Sequence, residues 1–503
     1  MPEKYVKRIL DARIYDVVVE SPIDTMNLLS KKMSNEVLIK REDLQSVFSF
    51  KIRGALNKMS RLSDEERSRG VIAASAGNHA QGVALAARKL GIKARIVMPK
   101  TTPEIKVLSV REKGCQVILH GDTFDEAFAL SQELAEKNRY TFIHPFDDPD
   151  VIAGQGTIAM EILRQVTGPL HAVFVPVGGG GLLAGMAAFI KYLRPAIKVI
   201  GVEAADSACL YEALKKGRRV VLPQVGIFAD GVAVSQVGKE PFRIAKTCVD
   251  EVITVSIDEI CAAIKDLFDN IRSIAEPAGA LALAGLKKYV QREGITGETL
   301  LAIESGANVN FDRLRHVSER AELGEGREII LGVTIPEKPG SFKTFCKTLG
   351  RRNITEFNYR YSSDTTAQVF VGIQLSTDGP RKAEIIENLQ TQNYEVVDLS
   401  DNELAKLHIR YMVGGHAPVN NEVIYCFEFP ERPGALLNFL TRMVKTWNIS
   451  MFHYRNHGAA HGRVFMGLQV PTGEKRAFKN FLKDLNYPYR EECGNPAYKL
   501  FLG

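Results

Sequence analysis

The chain has no C-x-x-C pair, no apolar run of membrane-spanning length and no concentrated block of lysine or arginine. Each absence removes a class of protein. Seven cysteines (Cys115, Cys209, Cys248, Cys261, Cys346, Cys426 and Cys493) are scattered singly through 503 residues. Such spacing makes no structural zinc site and no disulfide framework, and suggests reduced thiols in a cytoplasmic setting. Without about 20 consecutive apolar residues there is no spanning helix. The opening MPEKYVKRILDARIYD mixes acids among its apolar residues, unlike a signal peptide. The formal net charge of +6 is small for this length, and its dispersal gives no nucleic-acid footprint. A soluble protein with neither membrane nor nucleic-acid partner is expected.

What is present is ordinary globular material, 45% hydrophobic and 25% charged, in a chain too long for one core. From about residue 36 to 322, short apolar runs alternate with longer amphipathic stretches, the pattern of repeated β-α units. GVIAAS (70–75), KARIVMP (93–99), CQVILH (115–120), HAVFVPV (171–177), KVIGVEA (198–204) and TLLAIE (299–304) are predicted strands of parallel sheets covered by helices. Ligands then bind at the strands' carboxyl ends.

At ELGEGR (322–327) the rhythm changes, and an internal repeat follows. EKPGSF (337–342) returns as ERPGAL (431–436), Asn353-Ile354 as Asn448-Ile449, FNYR (357–360) as FHYR (452–455), and VFVGIQL (369–375) as VFMGLQV (464–470). Each copy reads as strand, P-G turn, helix, strand, strand, helix, a small α+β module. The expected organisation is an α/β domain over residues 1–325 and two modules over 329–401 and 423–495.

Four segments of the first domain carry chemistry. Lys51 follows the apolar pair Phe48 and Phe50 in SFKIRGA, among residues that look ready for burial. A lone lysine at a helix start is more often a surface residue than a nucleophile, but a desolvated amine suits carbonyl capture. ASAGNHAQG (74–82) lies between a predicted strand and a helix at 80–90. It offers either an anion cradle, with side-chain donors from Asn78 and His79, or a simple turn capped by Ser75 or Asn78. GGGGL (178–182) opens another helix and can present several N–H groups to a phosphate. Gly179-x-Gly181-x-x-Ala184, with Glu203 ending the next strand, also fits a dinucleotide fingerprint, although that fingerprint usually opens its domain. Ser305-Gly306-Ala307-Asn308 follows the last strand, where a serine either partners a ring nitrogen or merely forms a turn.

Taken in order, these four segments resemble the β-family (fold type II) of pyridoxal-phosphate enzymes, and KREDLQSVFSFKIRGA (40–55) is close to the form in threonine dehydratases. With two ACT-like modules, the whole chain resembles the isoleucine-controlled biosynthetic threonine deaminases. The resemblance implies pyridoxal 5'-phosphate as cofactor, with Lys51 as the carbonyl-capturing amine and catalytic base. It implies that Asn78 contacts the pyridine hydroxyl and that Ser305 meets the ring nitrogen. Gly178, Gly179, Gly180, Gly181 and Leu182 would hold the phosphate. Ser75, Ala76, Gly77, Asn78 and His79 would hold the substrate carboxylate. Related serine racemases carry serine where this chain has Ala76, so racemisation is not expected. A racemase metal ligand aligns with Cys209, so no metal site is assigned.

The implied reaction converts threonine to 2-oxobutanoate and ammonia, the first step of isoleucine biosynthesis. Isoleucine would inhibit and valine activate through the tail, with FNYR and FHYR as candidate effector pockets, in a homotetramer. Three alternatives stay open: a serine/threonine dehydratase of broader specificity, an NAD-dependent oxidoreductase, and a non-catalytic amino-acid sensor.

Overall fold

The computed structural model describes residues 2–336, 341–350, 354–361, 365–375, 381–411, 420–430, 439, 442–443, 447–455, 461–485 and 487–502. It divides into two compact units, Met1–Ala321 and Glu322–Gly503. Ten strands build the first: β1 (Ile23–Thr25), β2 (Glu36–Arg41), β3 (Val71–Ala74), β4 (Ala94–Met98), β5 (Gln116–Leu119), β6 (Thr141–Phe142), β7 (Ala172–Pro176), β8 (Lys198–Ala204), β9 (Glu251–Val255) and β10 (Thr299–Glu304). A six-stranded sheet runs β1-β2-β10-β7-β8-β9 and a four-stranded sheet runs β5-β4-β3-β6. All pairs are parallel except β1 with β2 at an edge.

The continuous apolar strands follow from burial on both faces. Val173, Val175, Leu301 and Ile303 enter the core on one side of the larger sheet. Ala172, Phe174, Leu300 and Ala302 enter the core on the other. The smaller sheet has its own core around Val71, Ala73 and Ile96. Two lobes result, and the loops following β2, β3, β6, β7 and β10 gather at the strands' carboxyl ends.

The predicted strands at 198–204 and 299–304 match β8 and β10 at both ends, whereas the other four are longer than the observed ones by a residue at each end. Gly70 shows why: its φ of +91° places it outside extended geometry. The helix expected at 80–90 begins at Asn78 and has neither proposed cap, since Gly77 is the N-cap residue and no side chain bonds there.

Helices Pro149–Gln165 and Gly181–Leu193 pack so closely that a Cβ on Gly185 would stand 2.3 Å from the Ile152 carbonyl oxygen and 2.8 Å from Gly156 N. Both of those atoms are backbone, so neither can rotate aside.

In the second unit, β11 (Glu328–Pro336), β12 (Ile354–Tyr361), β13 (Thr366–Gln374) and β14 (Glu395–Asp398) form one antiparallel sheet, order β12-β13-β11-β14. The strands β15 (Glu422–Pro430), β16 (Asn448–Arg455), β17 (His461–Gln469) and β18 (Tyr489–Glu491) repeat it as β16-β17-β15-β18. The helix expected after the third strand is present in each copy, Lys382–Thr391 and Lys475–Leu485, and is followed by a fourth strand that pairs with the module's first. The P-G turns at 337–340 and 431–438 lie outside the described residues, as do the side chains of 357–360 and 454–455. The two copies share a core: Ile330 and Phe370 of the first pack with Ile424 and Phe465 of the second, alongside Leu404 and Phe501. Asn402 donates to Asn495 Oδ1 at 3.0 Å beside it. Among the described residues, no helix is long and apolar enough to cross a membrane.

Gly185→Ala is expected to lower the stability of the first unit by about 1–3 kcal/mol, the usual range for overpacking. A urea titration checks this as a lowered midpoint with unchanged slope.

Candidate active site

Lys51 opens helix Lys51–Ser60, and the segment before it is stitched to the far end of the unit. Ser49 and Gly306 form an antiparallel bridge. Phe50 N donates to the Ser305 carbonyl at 3.2 Å, and Ala307 N to the Phe48 carbonyl at 2.9 Å. Lys51 and Ser305, some 250 positions apart, thereby meet. Phe48 corrects an expectation: it is 57% exposed, at a φ of +55°, while Val47 and Ser49 are buried.

Lys51 itself is half-buried, and its Nζ donates to the Pro145 carbonyl at 3.3 Å. Burial pushes its pKa down to about 8, with the negative charge of Glu276 acting in the opposite sense. The next residue, Phe146, lies against the glycine turn. A Cβ on Gly179 would fall 2.2 Å from the Phe146 ring, one on Gly181 2.8 Å from its carbonyl oxygen, and one on Gly178 2.9 Å from Val232 Cα. Gly180 adopts φ +88° and precedes the 13-residue helix, whose N-terminus has no side-chain cap. Only glycine satisfies both the space and the backbone here. Leu182 puts its side chain in the core, so its backbone alone faces the turn.

At the end of β3, Ser75 Oγ accepts the Gly77 N–H at 3.2 Å. A Cβ on Gly77 would meet nothing within 4 Å, so the loop borders open space ahead of an uncapped helix start. The side chains of Asn78 and His79 are both engaged by protein groups. Asn78 Nδ2 donates to Glu276 Oε1 at 2.5 Å, and its Oδ1 accepts from Asn308 at 2.7 Å. The His79 imidazole is buried and its Nε2 meets the Ile143 carbonyl at 2.8 Å, so Nε2 carries the proton. Burial and the Lys51 charge push its pKa down to about 3. Ser305 is buried, and its hydroxyl donates to the Ala278 carbonyl at 3.3 Å.

Two site residues were not singled out from sequence. Glu276 ends the loop before helix Pro277–Glu293. Burial first, then the charge of Asp230, push its pKa up to about 7. An acid just ahead of a helix-opening proline was the available signal. Asn308 closes the S-G-A-N motif and bridges Asn78 to the Val47 carbonyl, at 2.8 Å. Neither role shows without knowing what lies opposite.

The dinucleotide alternative fails on Glu203. That side chain is fully buried, with its two oxygens accepting the N–H groups of Leu210 at 2.9 Å and Tyr211 at 2.7 Å. Its carboxylate caps helix Cys209–Lys216 and has no oxygen to offer a ribose.

A family model described as "Pyridoxal-phosphate dependent enzyme" matches residues 14–306. Another, "C-terminal regulatory domain of Threonine dehydratase", matches 319–409 and 413–502. The chain belongs to the threonine dehydratases of the pyridoxal-phosphate dependent enzymes. It is 55% identical over 502 residues to "L-threonine dehydratase biosynthetic IlvA" of Burkholderia multivorans, covering 99% of both chains. The Escherichia coli K12 protein of that name is 53% identical, with 99% of this chain and 97% of the relative covered. A processed form of threonine deaminase isoform 2 from Solanum lycopersicum superposes with a TM-score of 0.63 at 51% identity, over 64% of this chain and 88% of that one. The residues present fit the family's cofactor: a partly desolvated amine hydrogen-bonds Pro145, and the adjoining Phe146 packs on a glycine turn whose uncapped helix N-terminus suits a phosphate.

His79 makes stability depend on pH. The folded state keeps this imidazole neutral down to about pH 3, while the unfolded chain takes up the proton below about 6.5. Between those values the unfolded state binds more protons, so stability falls as pH falls, by up to about 1.4 kcal/mol per unit. Urea midpoints at pH 7.5 and 5.5 should differ accordingly, and His79→Gln should narrow the difference.

Proposed function

We propose that this chain eliminates water and then ammonia from L-threonine, giving 2-oxobutanoate as the entry step of isoleucine biosynthesis. The observation that carries the proposal is the Lys51 amine, with its pKa near 8, held one residue away from the segment that packs on the glycine turn. Bound pyridoxal 5'-phosphate would supply a conjugated, electron-withdrawing ring that accepts the charge left when the substrate's Cα proton departs. Gly178, Gly179, Gly180, Gly181 and Leu182 would hold its phosphate through backbone N–H groups, Asn78 would contact its ring hydroxyl and Ser305 its ring nitrogen.

The chain's own residues then have separable tasks. Ser75, Ala76, Gly77, Asn78 and His79 present backbone donors at a helix start, where the helix dipole favours a carboxylate. Lys51, less basic than a solvated lysine, is partly neutral near neutral pH and takes the Cα proton. Departure of that proton on one side and hydroxide on the neighbouring carbon gives water, and hydrolysis of what remains releases ammonia. Ala76 has no proton to return on the other face of Cα, which favours elimination over racemisation. Ser305 offers the ring nitrogen an uncharged hydroxyl where a carboxylate would fix a positive charge.

Residues 1–325 form the catalytic part, and the modules at 329–401 and 423–495 form its sensor. We take isoleucine as inhibitor and valine as activator, bound in a cytoplasmic homotetramer. The shared core of the two modules supports joint movement, and an effector acts by preferring one of two arrangements. Cys115, Cys209, Cys248, Cys261, Cys426 and Cys493 form no disulfide, which agrees with a reducing compartment.

Lys51→Ala should lower keto-acid release from threonine by at least about a thousandfold. Borohydride reduction of the wild type followed by peptide mapping should label Lys51, and a label on another lysine would overturn the assignment. Serine run in parallel measures specificity. Isoleucine should raise the threonine concentration needed for half-maximal rate, valine should oppose it, and sedimentation should give a tetramer.

A further inference from the structure

Two residues beyond Lys51, an arginine is buried completely. The side chains of Arg53, Glu42, Glu161 and Lys40 are each 0% exposed, two cations balanced by two anions. Arg53 Nε and one terminal nitrogen grip Glu42, each at 2.7 Å. Its terminal nitrogens grip Glu161 at 2.5 and 2.9 Å. The remaining contacts are Thr157 Oγ1 at 3.0 Å and the Val19 carbonyl at 3.3 Å. Lys40 closes the set on Glu161 at 2.7 Å. Burying such a group is a poor way to gain stability, since desolvation offsets much of the attraction. A planar fork with five donors is a good way to fix directions.

The fixed direction is that of the helix Lys51–Ser60 against the helix Pro149–Gln165. Next to the fork the two backbones nearly touch: a Cβ on Gly154 would lie 2.5 Å from the Arg53 carbonyl oxygen and 2.7 Å from Gly54 Cα. Asn57 Nδ2 donates to the Asp150 carbonyl at 2.7 Å, and Lys58 pairs with Asp148 at 2.8 Å. Asp148 caps the second helix, and just before it run Pro145, whose carbonyl accepts the Lys51 hydrogen bond, and Phe146, which lies on the glycine turn. One rigid helix pair thus carries both the amine and the segment that locates it.

We propose that Arg53 is a positioning residue: its double carboxylate grip sets where the Lys51 amine stands relative to the glycine turn. The proposal rests on the reading of Lys51 as the cofactor-bearing base. Arg53 touches neither substrate nor cofactor. Replacing it by lysine keeps the charge but loses the fork, so the first turn of the helix loosens and the amine gains water. Its pKa then rises toward that of a free lysine, and the neutral fraction falls.

The test uses the full-length holoenzyme with Arg53→Lys. Misplacement by a fraction of an ångström should lower kcat by about tenfold or more with KM for threonine changing less. The acid limb of the kcat–pH profile, where the base must lose its proton, should move to higher pH, and the near-visible cofactor band should weaken at fixed cofactor concentration. Tyr15→Phe is the control for stability alone, because Tyr15 donates to Glu161 at 2.9 Å from outside the fork. It should lower the melting temperature while leaving the acid limb and the band in place. Wild-type kcat, acid limb and band in Arg53→Lys overturn the proposal, as does an equal displacement of the limb in Tyr15→Phe. Should Arg53→Lys not fold, Thr157→Val, which removes one Arg53 contact, decides by whether the limb moves in the same direction. Activity retained in Lys51→Ala would remove the underlying reading, whereas wild-type behaviour of the Arg53 variants with Lys51 still labelled removes only this inference.

Discussion

Phe48, Ser49 and Phe50 run antiparallel to Ser305, Gly306 and Ala307, joined by two backbone hydrogen bonds. The contact is short, yet the site depends on it. β2 and β10 are neighbours in the larger sheet, so the chain leaves both strands at the same end and its two exits zip together. The first exit leads to Lys51 and the second carries Ser305 and Asn308. A parallel sheet gathers such loops because all its strands point one way. The glycine turn after β7 arrives at that end for the same reason, and the loops after β3 and β6 leave the carboxyl ends of the smaller sheet.

Within the resulting cleft, charge is managed by desolvation. The Lys51 amine and the His79 imidazole both lose basicity to burial, and the Glu276 carboxyl loses acidity. Lys51, at about 8, and Glu276, at about 7, are thereby left able to change protonation around neutral pH, as a proton-moving site needs, while His79 stays neutral. Behind the cleft the opposite solution holds. Lys40, Glu42, Arg53 and Glu161 pair with one another, two cations with two anions, out of contact with water.

The legible parts of the fold were those with continuous apolar runs. β7, β8 and β10 announce themselves because both faces of each are buried, and the repeat in the tail was visible from four matched blocks. β6, with two residues, and β18, with three exposed ones, carry no pattern to find. They exist because a neighbouring strand leaves an edge open. Lys51, Asn78, the glycines and Ser305 stood out through the company each keeps in the chain. Glu276 and Asn308 did not, because their meaning comes from partners about 200 residues away or more. The His79 side chain is illegible for a related reason: nothing adjacent to it indicates the Ile143 carbonyl that accepts its N–H.

The tail's apolar interior is divided between the copies, with Phe370 and Ile330 on one side and Phe465 and Ile424 on the other. Neither copy alone can cover its half. A polypeptide holding a single copy would turn that face to water and would recruit an identical molecule to shield it. Joining two copies in one chain makes the pairing intramolecular, independent of dilution, and frees the copies to diverge.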